Sequence, residues 1–361
     1  MGEEQQTVPR RSCARLIRGA LIGITFSVLG LYLVLRLTGG YHSWAELAQI
    51  GPVIFIIACS LMLLARLLDS LRMKLLAYSL GANISIADGI RISILGTFLS
   101  NITPLGSGGW PTRVYLLTES GLNPGESTAV MATKALCNTF GRFTLGLAAS
   151  VWLFCFSDSW TLPTTMGIIV KVGLILYFVG LALALLFIIH SEKIKVFAFP
   201  VIRNRFTLRF FQLEKLDNIL DWIDRELTEF HNALMALLRK KRPLLLAIIL
   251  LSYGWWIAIT IVPAVVLAGL GLQPSFLQVM AITMVFYLAA SYAPTPGGSG
   301  VAELGFGLLF SSIVPHSLIG LFVAIWRGLT YYLNLIVGGV LLVVEIVRRG
   351  SLPERIGFGG R

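Results

Sequence analysis

The sequence predicts an all-α polytopic membrane protein of about six full spans plus two broken helical hairpins, arranged as two inverted repeats. Three observations lead there. Of 361 residues, 56% are hydrophobic and 13% charged, about half the charged share of a soluble domain. Several apolar runs reach the roughly 20 residues needed to cross a bilayer core. Two further apolar segments are interrupted near their middles by Pro and Gly, in NITPLGSGGWPTR at 101–113 and SYAPTPGGSGVAEL at 291–304.

In chain order, residues 1–16 form a polar tail containing Arg10, Arg11 and Arg15. The run 17–37 is too long for a secretory leader and lacks a small-residue cleavage site, so it reads as a retained first span. Further full spans are expected at 50–68, 126–156, 163–189, 243–270 and 317–347, before a second tail at 348–361. The segments 86–120 and 276–313 read as hairpins. The return limb PTRVYLLTES is too short to cross at about 1.5 Å per residue, so each hairpin enters and leaves on one side. The span-forming unit, 17–347, is expected to be a single transmembrane domain.

Within 190–243, the stretch 213–241 differs in kind. Its apolar residues Leu216, Leu220, Ile223, Leu227, Phe230, Leu234 and Leu237 alternate at three and four, the pattern of an amphipathic helix. It is expected on the inner membrane surface or beneath the spans.

The net charge of +11 does not point to nucleic acid, because the cations gather between alternate spans. With the N-terminus inside, the inner segments hold Arg66, Arg72, Lys74, Arg91, the 190–243 loop and the tail arginines Arg348 and Arg349. The outer loops TGGYHSWAELAQ, SDSWTLP and GLQPS have no Lys or Arg. This is the positive-inside distribution. Both termini are expected in the cytoplasm, and the chain in a prokaryotic cytoplasmic membrane.

On that topology the hairpins open to opposite sides. Setting Pro104 on Pro294 aligns their glycines and brings Arg113 opposite Glu303; Lys134 falls close to Arg327. Repeat one covers about 50–156 and repeat two about 243–347. Opposed repeats with paired interruptions mark the substrate site of a transporter. The interrupting residues are Pro104, Gly106, Gly108 and Gly109 in the first hairpin. In the second they are Pro294, Pro296, Gly297, Gly298 and Gly300.

Ionisable groups inside a bilayer cost several kcal/mol, so Arg113, Lys134, Arg142, Glu303 and Arg327 are expected to act together. Lys134, Asn138 and Arg142 fall on one helix face, as do Arg327, Tyr331 and Asn334. Four cations against one carboxylate imply an anionic ligand, and phosphate suits a guanidinium fork. A half-helix beginning near Gly298–Gly300 would add N–H donors. These eight residues are the expected substrate-binding set.

Enzymatic chemistry finds no motif. There is no acidic pair for a divalent ion, no G-x-S-x-G elbow and no nucleotide-binding loop. The four cysteines and four histidines are scattered, so neither a metal, a cofactor nor a disulfide framework is expected.

The pair NITPLGSGGWPTR and APTPGGSGVAE, with Lys134 and Arg327 downstream, resembles the lysylphosphatidylglycerol synthase transmembrane domain family, also described as flippase-like membrane proteins. The resemblance runs over about 15–350. Trp110 stands where that family often has an acidic residue, and Lys134 where it usually has arginine. The resemblance implies a membrane domain that moves or handles lipids with charged headgroups. Full synthases add a soluble aminoacyl-transferase domain; here GFGGR follows soon after the last span, so lysyl transfer is not expected. The expected function is flipping of a lipid with an anionic headgroup, such as a phospholipid or a polyprenyl-phosphate-linked lipid. The alternatives are a membrane subunit serving a separate soluble transferase, and a lipid-binding scaffold.

Overall fold

The computed structural model describes residues 51–156, 228–237, 242–290 and 295–349, with isolated helical positions at 25, 28, 29, 32, 36, 175, 179, 182 and 225. The expected spans at 17–37 and 163–189, most of the 213–241 helix, Pro294 and both tails lie outside these residues. Among the described residues every regular element is helical, and the chain is an all-α polytopic membrane protein.

Helix α1 (Pro52–Ser79) leads through a short loop to α2 (Ile86–Ile102). A single 3-10 turn, Pro104–Gly106, then precedes the return helix α3 (Gly109–Glu119), and α4 runs from Pro124 to Phe156. The second half repeats the order: α5 (Arg242–Gly269), α6 (Phe276–Ala289), a turn at Pro296–Gly298, and α7 (Val301–Phe310). Helix α8 (His316–Arg327) passes through a π-turn at Gly328–Tyr332 into α9 (Leu333–Arg349). Among the described residues three helical stretches, 52–79, 243–269 and 316–347, are both long and apolar enough to cross a membrane.

Local chemistry sets the boundaries. Ser85 caps α2 by accepting from the Asp88 N–H, and Ser275 caps α6 through Gln278, each satisfying an orphan donor. At the start of α4, Asn123 Oδ1 accepts from the Glu126 N–H at 2.7 Å while Glu126 reaches back to the Asn123 N–H at 3.1 Å. That reciprocal pair is a capping box.

The halves match element for element. Helices α1 and α5 begin 190 apart (242 − 52) and end 190 apart (269 − 79). The two turns lie 192 apart (296 − 104), as do the starts of α3 and α7 (301 − 109) and of α4 and α8 (316 − 124). Leu105 (φ 54, ψ 15) and Gly297 (φ 59, ψ 19) occupy the same left-handed conformation. The alignment of Pro104 with Pro294 is therefore corrected: geometry pairs Pro104 with Pro296, because the second hairpin holds two more residues before its turn. Arg113 then falls opposite Gly305 rather than Glu303, and Arg327 opposite Ala135.

Equivalent helices run antiparallel. The start of α1 (Ile54, Phe55, Ala58) lies with Val266 near the end of α5. Further along, Leu68 abuts Gly254, and Arg72 bonds Ser252. Rising numbers on α1 meet falling numbers on α5, so the repeats are inverted.

The second half is packed by aromatic rings. Phe306 of α7 stacks on Trp326 of α8 at 3.8 Å between centroids, and Phe286 meets both edge-on, a favoured arrangement for ring quadrupoles. In the amphipathic stretch, Phe230, Ala233 and Leu234 are buried against Ala129 and Ala132 of α4. This part packs against the first turns of α4.

Inverted repeats place the equivalent loops after α1 and α5 on opposite faces. Single cysteines at Asn83 and Gln273, both exposed, in a chain with its native cysteines replaced, should react with an impermeant maleimide from opposite sides. Labelling of both from one side would contradict the inversion. The turns give a second expectation. Gly297→Ala should destabilise by at least about 1–3 kcal/mol in thermal unfolding, as an L-residue is strained at that φ, and its Cβ would strike the Tyr331 ring. Leu105→Gly should leave Tm unchanged or raise it, since relief of about 1–3 kcal/mol of strain offsets the roughly 0.5–1 kcal/mol entropic cost of glycine.

Candidate functional site

The two turns meet. Leu105 and Gly106 of the first, and Thr295, Gly297 and Gly298 of the second, line one cavity of about 330 Å³ with Arg142 and Arg327. Each turn frees backbone groups that lipid cannot satisfy, so each needs internal partners. In the first, Thr103 Oγ1 accepts from the Gly108 N–H at 2.9 Å and donates to the Leu99 carbonyl at 2.6 Å. Gly109 lets α3 cross α2 closely, since a Cβ there would strike Ser100 and the Gly96 carbonyl.

The second turn is held by an ion pair. Arg327 Nε donates to Glu303 Oε1 at 2.7 Å, and its Nη2 donates to the Gly297 carbonyl at 3.2 Å. Glu303 is fully buried, and its other oxygen accepts from the Gly300 N–H at 2.6 Å. The guanidinium lies 4.4 Å from the centre of the Tyr331 ring, within cation–π range. One carboxylate thus caps α7 and fixes the arginine that holds the turn. The helix start expected near Gly298–Gly300 falls at Val301, with the Gly300 N–H taken by Glu303. Pro296 is buried at this turn.

The eight expected residues do not form one site. Arg142, Arg327 and Tyr331 line the cavity, with Glu303 behind Arg327. Lys134, Asn138, Arg113 and Asn334 belong to a second network on the first half. Lys134 Nζ pairs with Asp69 Oδ1 at 2.9 Å, and Arg72 Nη2 donates to the same oxygen at 2.7 Å. Ser93 Oγ donates to Asp69 Oδ2 at 2.7 Å. Arg72 Nη1 also donates to Asn138 Oδ1 and Ser252 Oγ, both at 3.0 Å. Arg66 reaches Thr97 Oγ1 at 2.9 Å and Asn334 Oδ1 at 2.6 Å, and Arg113 donates to Thr97 Oγ1 at 3.0 Å. Glu303 therefore pairs with Arg327 and not with Arg113.

The stripe Lys134–Asn138–Arg142 on α4 faces the interior as expected, but it joins the two sites instead of lying within one. Arg66, Asp69 and Arg72 were missed as interior groups. The expected span ended at 68 and placed Arg66 and Arg72 in a cytoplasmic segment, whereas α1 continues to Ser79 with Asp69 and Arg72 buried. The spacing of RLLDSLR, one charge every three residues, puts all three on one helix face. That pattern would have found them. Arg91 pairs with Glu345 at 2.6 Å. Among the described residues no group of three His, Cys, Asp or Glu side chains is placed to hold a metal.

Comparison with known proteins agrees with this architecture. A UPF0104 membrane protein of Archaeoglobus fulgidus is 26% identical over 336 residues, covering 93% of this chain and 100% of its own length. A second UPF0104 membrane protein, from Pyrococcus horikoshii, is 24% identical over 330 residues, 90% of this chain and 95% of its own. The family model for the lysylphosphatidylglycerol synthase TM region matches residues 20–338. With two inverted, turn-broken repeats inside that range, the chain belongs to the lysylphosphatidylglycerol synthase TM region family.

Proposed function

We propose that the protein translocates a lipid with an anionic headgroup, a phospholipid or a polyprenyl-phosphate-linked lipid, across the membrane. The observation that carries this reading is the cavity where the broken turns of opposed repeats meet beside Arg142 and Arg327. Discontinuous helices meeting at a repeat interface are where transporters bind their substrates. Intramembrane arginines are costly unless they serve a ligand or pathway, and guanidinium matches phosphate geometry. Glu303 and the Gly297 carbonyl engage Nε and Nη2 of Arg327, which orients the remaining edge for a ligand. On this reading the headgroup enters the cavity while the acyl chains stay in lipid. The domain is one unit over 17–347 in a prokaryotic cytoplasmic membrane, with both termini inside, as the cations of the two tails and the 190–243 loop support.

The test is lipid movement in proteoliposomes, followed by quenching of fluorescent phosphatidylglycerol, polyprenyl phosphate and phosphatidylcholine from outside. The wild-type chain should accelerate movement of an anionic lipid. Arg142→Ala should slow it about ten- to a hundredfold, the loss of one charge-assisted hydrogen bond to the substrate, in protein that stays folded. Wild-type vesicles that match protein-free vesicles for every lipid would overturn the proposal.

A further inference from the structure

The network around Asp69 is not charge-balanced. Lys134 and Arg72 pair with Asp69; Arg66 and Arg113 meet at Thr97, and Arg66 also donates to Ser93, which binds Asp69. Four cations against one carboxylate leave a surplus of three positive charges among the described residues. Arg72 is 1% exposed and Lys134 7%, so solvent does little to screen them. A structural network of buried charges should be close to neutral, because each unpaired ion costs several kcal/mol.

Two further details point to a ligand. The Nε atoms of Arg72 and Arg113 are buried without a hydrogen-bond partner among the described residues, although buried donors are nearly always satisfied. Arg113 also reaches the cluster over Gly96, where any Cβ would strike its side chain. The chain thus makes room for a cation that is already surplus to its carboxylate.

The position is equally specific. Lys134 and Arg142 sit eight residues apart on α4, about 12 Å along a helix, with Asn138 between them. Arg142 lines the cavity between the turns, Asn138 bonds Arg72, and Lys134 ends at Asp69.

We infer that the Asp69 cluster is a second binding station for a phosphate group, and that Asp69 is its resident counter-anion. The inference takes its ligand, a headgroup phosphate, from the function proposed above. Free inorganic phosphate offers the same chemistry. When no phosphate is present, Asp69 holds Lys134 and Arg72. An arriving phosphate competes with Asp69 for them and engages Arg113 and Arg66 besides. The cavity and the cluster are then two steps on one path along α4.

The test is thermal unfolding of the purified full chain in detergent, titrated with sodium phosphate, dihexanoylphosphatidylglycerol or dihexanoylglycerol. Asp69→Asn removes the internal competitor, so the half-saturating concentration of the phosphate-bearing probes should fall about tenfold or more, from a lower starting Tm. Asp69→Asn/Arg142→Ala should keep that gain, which places it at the cluster and not in the cavity. Arg113→Gln leaves both Asp69 pairs intact and should weaken the same probes about tenfold; it decides the matter if Asp69→Asn does not fold. A response to phosphate alone supports the station and makes free phosphate its ligand. Half-saturation unchanged in the folded variants, or an equal response to dihexanoylglycerol, overturns the station. Failure of wild-type protein to move any lipid would instead overturn the proposed function, and it leaves this binding result standing.

Discussion

A helix that breaks inside a bilayer must find partners for the backbone groups it frees, because hydrocarbon offers none. That constraint organises both halves of this protein. The turns at Pro104–Gly106 and Pro296–Gly298 have the same backbone shape, and hydroxyls serve both, yet the second adds chemistry that the first lacks. Thr103 secures the first with a hydroxyl. Glu303 and Arg327 secure the second with a buried ion pair. Removing either partner of such a pair leaves an uncompensated charge in a low-dielectric site, at a cost of about 3–5 kcal/mol. The turn, the start of α7 and the cavity wall therefore stand or fall together.

The frame is symmetric and the charges are not. At a 190-residue offset, Asp69 and Arg72 fall opposite Ile259 and Val262. The second half has an aromatic core where the first has a cation cluster. At a 192-residue offset, Glu303 falls opposite Pro111. Matching backbone frames carry unlike side chains, and the stripe on α4 connects the two charged regions. Inverted repeats of this kind support alternating exposure of a shared site. On the proposed function, the shared site is where the turns touch.

Most of this frame was legible in the sequence. Pro and Gly inside apolar runs located both turns, and the three-four alternation at 213–241 matched the burial of Phe230 and Leu234. The register was two residues out because Pro294 and Pro296 offer the same motif, and only the φ values at Leu105 and Gly297 distinguish them. The division into two networks was hidden for a different reason. A hydropathy reading ends a span at its charges, so Asp69 and Arg72 fell outside α1 although the helix continues through them. Arg142 and Arg327 were recognised as interior groups because they lie far from any span end. That the carboxylate of Glu303 caps its own helix follows capping-box spacing, three residues after Gly300, a pattern present in the sequence but not read there.

The contact between the turns is the most direct point at which to test this reading. Cysteines at Leu105 and Thr295, in a chain without native cysteines, would be joined in proteoliposomes by a short reducible bis-thiosulfonate reagent while anionic lipid movement is followed. Turns that meet at the transport site should cross-link within one chain, and the cross-link should stop movement until a reductant restores it. Lipid movement that continues unchanged in fully cross-linked protein would contradict the central role given to their meeting.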